Sequence, residues 1–183
     1  LFPGIYNFTF KKIQDLRYGE NPHQKAAFYK SYWINETCIS TAKQLQGKEL
    51  SYNNILDAND AFELVKDFKE PTAAVIKHTN PSGVATSSKI GEAYKKAYET
   101  DATSAFGSVV ALNRPCNMEI ARMMKPLFVE VLICPEFEKG ALDILKEKKN
   151  LRLLETGLII RNYKSLDMRK VVGGLLVQTR QYP

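Results

Sequence analysis

Short apolar runs alternating with helical patterns constrain this chain more than any other feature. TAAVIKH at 72–78, GSVVALN at 107–113 and FVEVLIC at 128–134 are rich in β-branched residues and too short for ordinary helices. LRLLE at 151–155 and VVGGLLVQ at 171–178 extend the apolar series. Between them lie helical patterns. In NILDANDAFELVKDF, residues Ile55, Ala58, Phe62, Val65 and Phe68 recur on one face, after Ser and Asn residues able to cap the free N–H groups of a first turn. IGEAYKKAYET at 90–100 repeats the pattern with Ile90, Ala93, Tyr94, Ala97 and Tyr98. NMEIARMMK predicts a helix begun by Asn117 and stopped before Pro126, and PEFEKGALDILKEKKN one entered through Pro135. This alternation from about 50 to 155 predicts an α/β fold, layered, with a largely parallel central sheet flanked by helices. Upstream, 26–33 and 38–45 read as two further β-compatible stretches, and 157–170 as a connecting loop.

In sheets of that kind sites gather at the carboxyl ends of strands. VIKHTNPSG at 75–83 ends an apolar run in Lys77 and His78, then a turn. Pro81 pushes Asn80 to extended backbone, and Gly83 offers a positive φ. A lysine supplies fixed positive charge for a developing oxyanion, and a histidine exchanges protons near neutrality. The same pair also fits a surface lysine and a histidine satisfied by backbone. Phe106 and Gly107 precede another strand, where a ring can stack on a heterocycle and a glycine admits a ligand to the backbone; a packed core phenylalanine is the plainer reading. Glu130 puts a carboxylate inside an apolar run, which is costly unless it is paired, binds something or faces solvent. LRYGENPHQ at 16–24 is a loop in which Arg17 has the planar fork suited to phosphate, while His23 reads as structural.

Composition excludes several classes. Net charge is +6, but the basic residues are scattered, and KEKKN at 146–150 reads as a solvated helix end, so no nucleic-acid stripe is expected. No run approaches the roughly 18 apolar residues of a membrane span. Cys38, Cys116 and Cys134 are odd in number and widely spaced, which predicts reduced thiols and a cytoplasmic setting. CxxC and HxE spacings are absent, so no zinc or other metal is expected. The opening LFPGIYNFTFKK reads as the tail of something upstream.

Six motifs in order carry a resemblance: LRYGENPHQ, LSYNNILDANDA, VIKHTNPSG, SAFGSVVALN, FVEVLICPEF and GGLLVQ. Over about residues 14–180 the chain resembles the AICAR transformylase domain of the bifunctional AICAR transformylase/IMP cyclohydrolase family. Any one motif would be weak; six in order are specific. The resemblance implies a cytidine-deaminase-like fold without the deaminase zinc. It implies formyl transfer from 10-formyltetrahydrofolate, as co-substrate, to the 5-amino group of aminoimidazole carboxamide ribonucleotide (AICAR). Lys77 and His78 match the family's catalytic pair, with His78 as base and Lys77 as oxyanion stabiliser. Arg17, Tyr18, Asn54, Phe106, Gly107 and Glu130 match nucleotide-binding positions, with Asn80, Pro81 and Gly83 supporting the turn. Ser82 stands where bacterial members often have cysteine. By the same resemblance, residues 1–13 are the end of a linker from a cyclohydrolase domain, and 14–183 the first subdomain of the transformylase domain. The folate site then needs a homodimer or a chain carrying the second half. Two rival readings are a non-catalytic ribonucleotide-binding module and an RNA-binding protein.

Overall fold

A computed structural model of the chain describes residues 2–162 and 164–181. The alternation read from the sequence becomes a mixed six-stranded sheet with helices on both faces. In chain order the elements begin with a hairpin, β1 (Phe10–Leu16) and β2 (Ala26–Ser31), followed by β3 (Lys43–Gln46) and α1 (Tyr52–Lys66). Next come β4 (Thr72–Lys77), β5 (Asn80–Thr86), α2 (Ile90–Thr100), β6 (Ser108–Leu112) and α3 (Met118–Met124). The chain continues through β7 (Val129–Cys134), α4 (Lys139–Lys146) and β8 (Arg152–Glu155) to a second hairpin, β9 (Leu166–Val171) and β10 (Gly174–Thr179). The large sheet has the order β3-β8-β7-β6-β4-β5.

Only β6–β7 and β7–β8 pair in parallel; β3–β8, β4–β5 and β4–β6 are antiparallel, which corrects the expected largely parallel sheet. The reason lies in VIKHTNPSG, which is a hairpin rather than a turn leaving the sheet. Two residues, His78 and Thr79, link β4 to β5, and two residues permit antiparallel pairing only. Helix α2 then carries the chain from β5 past β4 to β6, so β5 and β6 run the same way with β4 reversed between them. Helices α3 and α4 make the two ordinary crossovers that leave β6, β7 and β8 parallel.

The central strands are buried on both faces, and their alternation divides the core in two. Ala73, Val75, Val110, Leu112, Leu132 and Leu153 face α2, α3 and α4. Their neighbours Ala74, Ile76, Val109, Ala111, Val131, Ile133 and Leu154 face α1, which contributes Ala58, Ala61, Phe62 and Val65. Ser51 caps α1 by accepting from the Asn54 N–H, and Asn117 caps α3 by accepting from the Ile120 N–H. Phe68 falls beyond the end of α1 and is 36% exposed.

Other expectations change in detail. The stretch after Pro135 is extended as far as Glu138, with Phe137 bridged to Cys116, and helix α4 begins only at Lys139. Residues 39–41 of the second β-compatible stretch form a 3-10 turn ahead of β3. The expected loop at 157–170 contains the start of β9, and VVGGLLVQ joins β9 and β10 as a separate hairpin whose Leu175 and Leu176 are exposed. The three cysteines are free, two of them buried in the core; burial pushes the Cys116 thiol up to about 12, so it packs as a neutral apolar group.

Gly83 does not occupy a positive φ, contrary to expectation. It is required by proximity instead: a Cβ there would run into the carbonyl oxygen of Ala97 on α2. Gly83→Ala is therefore expected to push α2 off β5 and lower stability by about 1–3 kcal/mol, read from the midpoint of urea unfolding. An unchanged midpoint would show that α2 yields freely.

Candidate active site

The reversed strand β4 brings its carboxyl end beside the amino ends of β6 and β7. The expected gathering at carboxyl ends thus holds for β4 alone. A cleft of about 480 Å³ opens at this junction, and its lining includes Tyr18, Asn54, Lys77, His78, Phe106, Gly107 and Glu130. Residues singled out from five separate stretches of sequence converge on it.

Lys77 ends β4 half-buried, and its Nζ donates to the Phe106 carbonyl oxygen at 2.8 Å. That bond uses one of an ammonium's three donors. His78 and Thr79 follow with φ of 55° and 60°, the left-handed pattern of a type I′ hairpin turn. This conformation costs L-residues roughly 1–2 kcal/mol each and is least natural for a β-branched threonine. Both residues are exposed and line the cleft. The Thr79 N–H donates to Asp57 Oδ1 at 2.7 Å, while the His78 carbonyl oxygen accepts from Asn80 Nδ2 at 2.9 Å and from Thr79 Oγ1 at 2.7 Å.

Opposite stand two rings. Phe106 and Phe128 are 65% and 47% exposed, with centroids 5.0 Å apart and planes tilted by 44°. Large apolar rings open to solvent at a cleft mouth are the surface on which a planar ligand stacks. Gly107 holds φ of 71° between them, its N–H donating to the Phe128 carbonyl oxygen at 2.8 Å. A Cβ at Gly107 would lie 3.3 Å from the Phe128 ring, so glycine serves both the backbone turn and the space in front of the ring.

Glu130 is half-buried near the start of β7, and its Oε2 accepts from Asn54 Nδ2 at 2.8 Å. Asn54 is only 5% exposed, and the other end of its amide accepts from the Ser51 N–H at 3.3 Å. The amide therefore orients the carboxylate while completing the cap of α1. Asn54 forms part of the floor, and Glu130 keeps an oxygen for a ligand.

The 17–24 loop closes one side. Tyr18 and Glu20 line the cleft, and Asn53 Nδ2 donates to the Glu20 carbonyl oxygen at 3.5 Å. Arg17 is exposed beside the cleft with its guanidinium 5.9 Å from the Tyr18 ring centroid, outside the lining itself. Asn80, Pro81 and Gly83 lie in β5 behind the turn. His23 is exposed in the loop.

Sequence reasoning passed over Asp57, Thr79, Phe128 and Glu20. Asp57 was recoverable, because it stands one helical turn after Asn54 on the same face of α1. Phe128 opens FVEVLIC, two residues before Glu130 on the same side of the strand. Among the described residues, no group of three or more His, Cys, Asp or Glu could hold a metal ion, and no helix is long and apolar enough to cross a membrane.

The sequence pattern of the AICARFT/IMPCHase bienzyme matches residues 1–182. The chain belongs to that family. It is 54% identical over 179 residues to the bifunctional purine biosynthesis protein PurH of Acetivibrio thermocellus, covering 97% of this chain and 35% of that protein. The PurH proteins of Thermoanaerobacter sp. and Oceanobacillus iheyensis are 53% and 49% identical, covering 98% and 97% of this chain and 35% of each relative. The chain thus spans about a third of the length of these curated members of the AICARFT/IMPCHase family.

The Asn54–Glu130 bond generates a prediction. Asn54→Ala removes part of the α1 cap and leaves a half-buried carboxylate without its donor, at a cost of about 1–3 kcal/mol. Asn54→Asp should cost more, by setting a second carboxylate against the first. Chemical denaturation of the two variants measures the order; equal stability of both with the parent would show that the bond supports nothing.

Proposed function

We propose that this chain forms the nucleotide-binding and catalytic part of an AICAR transformylase, passing the formyl group of 10-formyltetrahydrofolate to the 5-amino group of AICAR in purine biosynthesis. The observation that carries this reading is the convergence of Lys77, His78, the Phe106–Phe128 pair and Glu130 on one cleft, in a chain of the AICARFT/IMPCHase family. On this reading the layered sheet is a cytidine-deaminase-like fold without zinc. The enzyme works in the cytoplasm, where its free cysteines stay reduced.

Each part of the cleft answers a need of that reaction. An amine on an imidazole that bears a carboxamide is electron-poor and a weak nucleophile. Its attack on the formyl carbon forms the new C–N bond and builds an oxyanion and a positive nitrogen together. His78 takes the amine proton, and the two donors left on Lys77 hold the oxyanion. The intermediate collapses by breaking the bond to N10 of the folate, which takes up a proton as tetrahydrofolate leaves. The imidazole ring stacks on Phe106 and Phe128, and the spare oxygen of Glu130 accepts from the N–H groups of its carboxamide substituent. Tyr18 closes the side, and Arg17 reaches past it to the phosphate.

Among the described lining residues Lys77 is the only lysine or arginine, against Glu20, Asp57 and Glu130. A phosphate and a folate carboxylate therefore need positive charge from elsewhere, which fits a homodimer or a complex with the rest of the transformylase domain.

In the complete enzyme, His78→Ala should lower kcat by about 10²-fold or more. Lys77→Ala should do comparable damage, and the double variant should lose less than the product of the two because they act as a unit. Formyl transfer followed by tetrahydrofolate absorbance decides it; near-normal kcat in His78→Ala would end the assignment. The 183-residue chain by itself should bind AICAR weakly and give no turnover, since loss of one binding surface forfeits much of the roughly 7–11 kcal/mol that positioning supplies. Robust turnover by the purified chain would refute the need for a partner.

A further inference from the structure

The turn that presents His78 is held by a carboxylate, Asp57, to which neither the resemblance nor the proposed mechanism gives a role. The peptide unit between His78 and Thr79 has its N–H directed to Asp57 Oδ1 at 2.7 Å. Its carbonyl oxygen accepts from Asn80 Nδ2 at 2.9 Å and from Thr79 Oγ1 at 2.7 Å. Both polar ends of one peptide plane are thereby taken by side chains, from α1 on one side and from the hairpin itself on the other. A hairpin turn normally leaves such groups to water, and normally places Gly, Asn or Asp at positive φ. Here a histidine and a threonine occupy those positions, so local preference opposes the observed conformation. The helix carboxylate supplies the missing constraint through a charge-assisted bond.

We propose that Asp57 is a positioning residue for His78, clamping the 78–79 peptide plane so that the imidazole stays in the cleft in one orientation. This rests on the reading of His78 as the proton acceptor, but the clamp itself can be tested without it. The bond to Thr79 N–H needs an acceptor and no charge, so an amide oxygen at the same place should serve. Asp57→Ala in the complete enzyme is expected to lower kcat by about 10- to 100-fold, the scale of misplacing a reacting group by about an ångström. The KM for the nucleotide should change by less than about two-fold, since the rings and Glu130 are untouched. Asp57→Asn should recover most of the lost kcat, and Asn80→Ala, which frees the other end of the same plane, should lower kcat in the same way.

A second readout does not depend on formyl transfer. The Thr79 amide should resonate downfield and exchange slowly in the parent and in Asp57→Asn, and lose both properties in Asp57→Ala while amides of the central strands keep their parental shifts. If His78→Ala keeps full turnover while the Thr79 amide behaves as stated, the functional reading falls and the clamp stands. Where His78→Ala abolishes turnover, the clamp is overturned by an Asp57→Ala enzyme with parental kcat or by equal damage in Asp57→Ala and Asp57→Asn; in either case it is overturned by a Thr79 amide indifferent to both substitutions.

Discussion

Two residues between β4 and β5 determine where everything else lies. A link of that length returns the chain on itself, and the helix that follows must carry it over β4 to reach the next open position in the sheet. Strand β4 is therefore the one central strand that runs against its neighbours β5 and β6. Its carboxyl end meets the amino ends of β6 and β7, and Lys77 comes within hydrogen-bonding distance of the Phe106 carbonyl oxygen. A fully parallel sheet would have set Lys77 and Phe106 at opposite edges.

Helix α1 links the core to the cleft. Its later turns bury Ala58, Ala61, Phe62 and Val65 against the sheet, while its first turns present Ser51, Asn53, Asn54 and Asp57 to the cleft. The same Asn54 amide completes the helix cap and orients Glu130, so one side chain serves stability and site together. Strain and support are also paired. Two positive-φ residues oppose the hairpin by roughly 1–2 kcal/mol each, and a hydrogen bond to a charged group contributes about 1.5–3 kcal/mol in return. The helix thus offsets a turn that the local sequence does not favour.

Much of this is legible in the sequence. Apolar periodicity located α1, α2 and α3, along with β4, β6 and β7, because those segments are buried and carry little besides packing information. Lys77, His78 and Glu130 stand out because each sets a charged or titratable group in or at the end of an apolar run, and Phe106 and Gly107 because a ring and a glycine stand together at the start of one. Strand direction was not legible: alternation of strands and helices is the same whether or not a hairpin reverses one strand. The role of Gly83 was misread for a related cause, since positive φ is a local property and the closeness of Ala97 is a tertiary one. Asp57 escaped notice because an aspartate on an amphipathic helix looks like a solvated face until the turn it holds is placed above it.

The charge of the cleft separates what these residues recognise from what they leave to others. Asp57 is committed to a backbone N–H and Glu130 to an amide, so each carboxylate already has a donor and neither is an uncompensated charge. What remains on Glu130 is a second acceptor oxygen in a cleft that two aromatic rings also line. That combination favours a flat heterocycle carrying N–H groups and opposes an acidic one, because a second anion at that oxygen would meet repulsion in a half-buried place. The proposed substrate has both characters at once, a flat ring bearing amino and carboxamide N–H groups and a doubly charged phosphate. The ring end suits the lining as it stands. On the proposed reading the phosphate end lies away from Glu130, towards Arg17. On that reading, repulsion at Glu130 would orient the ligand as much as attraction at the rings.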